Sequence, residues 1–119
     1  MAGMDEMARS LGQAMGRTDE YQALRRVMGA MGDDRELVTL RNELEGLEGQ
    51  IEALLRAGKE PEGELAQAYE TAVSTLQANP TYQRLVSAQS NFDKVVARVN
   101  NTIAEGIREG GESRIILSS

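Results

Sequence analysis

Carboxylates are the residues best able to do chemistry in this sequence. Asp and Glu number 19, and pairs such as Glu43 with Glu48 or Glu60 with Glu64 are the types that general acid–base catalysis uses. Such a pair works only in a pocket that drives the two proton affinities apart. These pairs instead read as solvated helix faces, and Glu52 with Arg56 reads as a surface i,i+4 ion pair. Ser87 and Ser90 are hydroxyl nucleophiles without a base, because the sequence has no His. It also has no Cys, which removes disulfides and thiolate-held zinc or iron–sulfur centres. Di-metal helix bundles need Glu-x-x-His motifs, which are missing here. No Gly-rich phosphate loop of either common type is present. The expectation is a protein without a cofactor or metal, not an enzyme, that works by binding other proteins.

Composition narrows this further. The chain has 119 residues, the size of one domain. Its aromatics are Tyr21, Tyr69, Tyr82 and Phe92, so any core must come from Leu, Val, Ile, Met and Ala. That is helix-bundle composition. A chain this short buries a modest core, which favours a dimer or a partner. The net charge of −6 and pI near 4.7 repel phosphate backbones, and no Lys/Arg cluster offsets them, so direct nucleic-acid binding is not expected. The opening residues MAGMDEMARS lack the basic-then-apolar pattern of a leader. No apolar run approaches the roughly 18 residues of a membrane span. A cytoplasmic protein without membrane insertion is expected.

The elements that position these residues are helical almost throughout. Met4, Met7, Leu11 and Met15 recur by threes and fours, and Gly16 stops the first helix. Thr18 caps a second, with Asp19 and Glu20 in its first turn and Gly32 at its end. Asp33-Asp34-Arg35-Glu36 reads as a capping box opening a third helix. That helix carries the cleanest seam in the sequence: Leu37, Leu40, Leu44, Leu47, Ile51 and Leu54, a heptad pattern that holds the scaffold. From residue 34 to 57 it spans about 36 Å. Its seam is expected to pack inside the chain against the fifth helix. Gly58 ends it, and the turn to Gly63 contains Pro61, suited to an early helical position. A fourth helix presents Leu65, Ala68, Tyr69, Ala72, Val73 and Leu76. Asn79-Pro80 breaks the chain and starts the fifth helix, 80–109, with Tyr82, Leu85, Gln89, Phe92, Val96, Val99, Ile103 and Ile107 on its stripe. Gly110-Gly111 closes it. The fold class is therefore all-α, an antiparallel bundle of about five helices with two long ones, 34–57 and 80–109. It makes one helical domain over 1–109 and a flexible tail over 110–119, whose Ile115-Ile116-Leu117 is a strand, a docking segment or neither.

Two surfaces are candidates for a partner or dimer interface. The first is the methionine-rich face of the first two helices: Met4, Met7, Leu11, Met15, Met28 and Met31. Methionine is adaptable and polarizable and fits varied partners; the plainer alternative is a core or dimer seam. The second lies opposite the leucines, where Asn42, Gly46, Gly49 and Ala53 form a narrow strip of small residues. Two interior glycines cost about 1 kcal/mol each relative to Ala. The strip is either a place where another helix approaches closely or a poorly optimised exposed face.

An ordered series of segments also carries a resemblance. Leu11-Gly12 with Ala14 comes first, then Thr18, Glu20 and Tyr21, then Met31 with Asp34, Glu36-Leu37 and Leu40. The turn from Gly58 to Glu64 around Pro61 follows, and last come Asn79-Pro80, Leu85, Ala88-Gln89, Phe92, Val99 and Ile103. Over residues 5–108 this order resembles the YlbF/YmcA family (Com_YlbF) of small bacterial regulators. The resemblance implies long antiparallel helices, frequent self-association and a regulatory role. It implies partners among family paralogues and a complex acting with the endoribonuclease RNase Y in mRNA processing, with effects on competence, sporulation and biofilm formation. Some members hold iron–sulfur clusters on cysteines, and this sequence departs from them in having none. Rival readings are a self-assembling structural or chaperone-like helical protein unrelated to RNA, and a small-ligand protein or enzyme.

Overall fold

A computed structural model of the chain describes residues 2–118, with side chains over 2–113. Five helices account for it: α1 (Ala2–Gly16), α2 (Asp19–Asp33), α3 (Arg35–Arg56), α4 (Glu64–Ala78) and α5 (Pro80–Ser118). There is no strand among the described residues, so the all-α expectation holds. The helices divide into two compact units. Residues 1–24 and 88–119 form one, and residues 25–87 the other.

In the second unit α3 and α4 pair as a hairpin. Leu40, Leu44 and Ala72 are buried together, with Leu47, Tyr69, Val73 and Leu76 packed around them. The leucine seam is thus covered by α4, not by the fifth helix as expected. A six-to-seven-residue turn favours the next helix as an antiparallel neighbour over a distant one. The α4 helix has 15 residues and α3 has 22. Burial fades accordingly: Leu37, Leu40 and Leu44 are buried, whereas Leu47, Ile51 and Leu54 are half-buried.

The turn is built by two glycines in the left-handed region, Gly58 at φ 75 and Gly63 at φ 60. At Gly58 the N–H of Lys59 donates to Leu54 C=O at 2.8 Å and that of Gly58 to Leu55 C=O at 3.1 Å. This is a Schellman closure, which a Cβ at Gly58 would strain. Gly63 caps α4 without a side-chain bond. Pro61 therefore lies ahead of the helix and not in its first turn.

Helix starts follow the polar residues. Tyr21 N–H donates to Thr18 Oγ1 at 3.2 Å, and Thr18 Oγ1 donates to Met15 C=O at 2.7 Å, so one hydroxyl serves the end of α1 and the start of α2. At α3 the cap is Asp34, whose Oδ1 accepts from Leu37 N–H at 3.0 Å. Asp33 remains the last residue of α2, so the expected capping box is out of register by one. Asn79 Oδ1 caps α5 through Tyr82 N–H at 2.9 Å, and Asn79 Nδ2 donates to Asp34 Oδ2 at 3.5 Å. Two helix caps therefore meet in one polar node, with Asn79 and Thr81 both buried.

The Asp34 carboxyl is held below its ordinary value of 3.8, chiefly by the Leu37 N–H. Partial burial opposes this, and the Thr81 and Asn79 side chains and the Glu36 N–H reinforce it. A lowered native pKa gives stability that is present above the ordinary value and lost as pH falls through the native one. Asp34→Asn keeps an acceptor for Leu37 but cannot titrate. Thermal melts taken from neutral pH down to about pH 3 should show a shallower acid decline for this variant than for wild type. Parallel declines would remove Asp34 from the acid response.

In the first unit Tyr21 and Phe92 meet edge to face, with centroids 5.1 Å apart and planes at 61°. Such a pair adds about 1 kcal/mol beyond its buried area. Leu24, Ala88 and Val95 are buried in the same unit. The α5 helix runs on through Gly110-Gly111 to Ser118, past the expected end at 109. Neither glycine adopts a positive φ. Glycine permits a helix end without forcing one, and the residues around this pair are good helix formers. The side chains of Ile115, Ile116 and Leu117, and residue 119, lie outside the described residues.

Candidate partner-docking surface

The α1 helix is mostly Ala, Met, Leu, Glu, Gln and Arg, good helix formers, interrupted by Gly3 and Gly12, with Asp5 favourably placed in its first turn. It contributes no buried residue at all. Met4 is 63% exposed, Met7 75% and Leu11 37%; Met15, next to the Thr18 turn, is half-buried. These four residues lie on one side of the helix by their three- and four-residue steps. An amphipathic helix with its apolar side bare gains little stability from its own chain. The flanking residues Gly3, Ala8 and Ser10 are uncharged, so the strip has an apolar centre and neutral edges.

The same unit holds a second bare apolar face, the far end of the fifth helix's stripe. On α5, Val96 and Val99 are half-buried, while Ile103 is 45% and Ile107 71% exposed. Every residue from 100 to 113 is exposed. The available signal was length, since α5 with 39 residues outruns every other helix of 15 to 22 residues. Met4 to Met15 and Val96 to Ile107 cover the same distance, about 17 Å at 1.5 Å per residue.

The remaining candidates are placed separately. Met28 is exposed at 58% and Met31 half-buried, both on α2 within the second unit. Asn42, Gly46, Gly49 and Ala53 are all exposed on α3. A Cβ built at Gly46 or Gly49 meets nothing within 4 Å. At these two positions no other helix of the described residues comes within 4 Å of a built Cβ. Gly46→Ala with Gly49→Ala should raise the stability of the isolated chain by about 2 kcal/mol and its Tm by several degrees. Thermal denaturation at low protein concentration checks this, and a fall in Tm would mean the glycines are needed as glycines.

Glu52 and Arg56 pair at 2.6 Å on the exposed face of α3, as expected. The groove lined by Gln77, Tyr82, Gln83, Val86 and Ser87 has a volume of about 590 Å³. Amides and hydroxyls line it, with no carboxylate or cation. Among the described residues, no group of Asp and Glu side chains is placed to hold a metal ion, and no helix is long and apolar enough to cross a membrane.

The family model described as control of competence regulator ComK, YlbF/YmcA, matches residues 4–108. No curated protein matches the chain. Among solved structures, RicA of Bacillus subtilis, solved in complex with RicF, is similar with a TM-score of 0.82 at 16% identity, over 91% of this chain and 96% of that one. A protein of unknown function (DUF964) from Bacillus stearothermophilus is similar with a TM-score of 0.61 at 17% identity, over 90% of this chain and 94% of that one. At such identities the likeness speaks to the fold.

Proposed function

Because the chain belongs to the YlbF/YmcA family, we propose that it is a non-catalytic regulatory adaptor that acts by docking helix faces onto other proteins. The observation that carries this reading is α1, a whole amphipathic helix with no buried residue. Its first occupant is a second copy of this chain. The α1 strip of one copy lies on the Val96–Ile107 face of the other, an apolar strip of equal length with Asn100 and Thr102 at its edges. Pairing of this kind buries both bare faces at once, at about 25 cal/mol for each Å² of apolar surface removed from water. The family's partnerships and the RicA–RicF complex support further partners among paralogues. They support a role beside an RNase Y-type endoribonuclease in mRNA processing, with consequences for competence, sporulation and biofilm formation. The exposed strip of α3 serves as a subsidiary contact, where small residues let a helix backbone approach. The adaptor needs no cofactor of its own, having neither Cys nor His, and it works in the cytoplasm.

Tagged protein recovered from its own host, with and without residues 1–31, tests this. Recovery of a family paralogue or a ribonuclease component that depends on residues 1–31 is the expected result. Recovery of the chain alone in both cases would leave a self-assembling structural protein and remove the RNA-processing role. Self-association is read separately by sedimentation of Met4→Glu with Met7→Glu. Two carboxylates on the strip should convert a dimer to a monomer, and an unchanged dimer would show that α1 is not the interface.

A further inference from the structure

The side chains that make α1 apolar are also the most oxidisable ones in the sequence. With no Cys and no Trp, its softest nucleophiles are methionine thioethers. They are not equally accessible: Met4, Met7 and Met28 are 63%, 75% and 58% exposed, whereas Met15 and Met31 are half-buried. Among the described residues, two of the three exposed methionines stand one helical step apart on the bare strip of α1, beside Leu11. Oxidation of a thioether turns a flexible apolar group into a polar one, and sulfoxide reductases reverse it.

We propose that Met4 and Met7 are peroxide-modification sites, and that their oxidation to sulfoxides switches off association through α1. This rests on the reading of α1 as an association face. In the step, the Met Sδ lone pair attacks one oxygen of hydrogen peroxide and the O–O bond breaks. A sulfur–oxygen bond forms, and the proton of the transferred oxygen leaves with the other oxygen as water. The sulfur is oxidised by two electrons and the peroxide is reduced by two. Two sulfoxides leave Leu11 as the only fully apolar exposed member of the strip, and the polar oxygens would have to be buried without partners. The free chain is the form that reacts, because association covers both sulfurs. Oxidant and partner therefore compete for the same atoms.

The test uses the full chain and hydrogen peroxide, with peptide mass spectrometry to order the sites and sedimentation equilibrium to read association. Met4 and Met7 are expected to gain one oxygen each before Met15 and Met31 do. The dissociation constant should then rise by about tenfold or more, and a methionine sulfoxide reductase should restore it. Met4→Leu with Met7→Leu keeps the strip apolar and should stay associated in peroxide. Met4→Gln with Met7→Gln should be weakened without any peroxide. Oxidation of Met15 or Met31 as fast as Met4 and Met7 would overturn the site assignment. Equal dissociation of the leucine variant and wild type in peroxide would overturn the switch. A chain that is monomeric before any oxidant overturns the association reading and the switch with it, while the order of oxidation still decides whether Met4 and Met7 are the reactive sulfurs.

Discussion

Replacing Leu37 with Ala should lower the free energy of unfolding by about 3 kcal/mol. Leu37 is 2% exposed and is the largest fully buried side chain. It lies three residues into α3, where its own N–H is tied to the Asp34 cap, so the backbone there cannot move in to fill the space. The loss combines the transfer energy of the deleted carbons with the cavity they leave, and a small core offers few neighbours to relax into that cavity. Urea denaturation is the measurement, read as a fall in midpoint at constant m-value. Leu54→Ala on the same seam is the internal comparison: half-buried beyond the end of α4's cover, it should cost about 1 kcal/mol. Equal losses at the two positions would contradict the graded burial of the seam.

Asn79→Ala should cost about 1 kcal/mol, from the loss of a helix cap. The α5 helix loses the acceptor for Tyr82 N–H, worth about 1 kcal/mol in other helices. Asp34 Oδ2 also loses its 3.5 Å contact with the Asn79 amide. The position is 6% exposed, so water replaces the amide poorly. Asn79→Ser restores a cap acceptor without the donor to Asp34 and should recover most of the loss. Asn79→Asp caps equally well but sets a second carboxylate against Asp34, so it should be less stable than wild type at neutral pH and gain on that deficit in acid. Chemical denaturation of the three variants separates the capping contribution from the link between caps. If serine and alanine behave alike, the cap is not what the residue supplies.

Most of the helix boundaries were legible because each depends on a few adjacent residues. Thr18 caps α2, Gly58 closes α3, and Asn79-Pro80 begins α5, as their chemistry requires. The misses came where two neighbours compete or where the answer lies far away in sequence. Asp33 and Asp34 are equally good caps, and only the path of the backbone into α3 selects the second. Gly110-Gly111 offers an end that nothing compels. The leucine seam announces burial but not its cover, because periodicity marks a face and is silent about the neighbour. The same silence hid the bare end of α5: Ile103 and Ile107 continue a stripe that begins against a core and ends beyond one. Met4, Met7 and Leu11 were readable as an apolar face, and their exposure was not, since a core strip and a docking strip use the same residues.

The division of the chain also sets an order of assembly. Residues 25–87 form one unit from a continuous stretch, and its α3–α4 hairpin closes over contacts near in sequence, the kind that form fastest. The other unit is discontinuous: Tyr21 must find Phe92 across everything between. That closure is entropically expensive while the intervening chain is loose, and much less so once it has folded. During synthesis the continuous unit can be complete before Phe92 emerges, so the late, long-range step is the one that joins α1's unit. Damage to the hairpin core at Leu40 or Leu44 therefore delays the distant Tyr21–Phe92 pairing as well, although neither ring is altered.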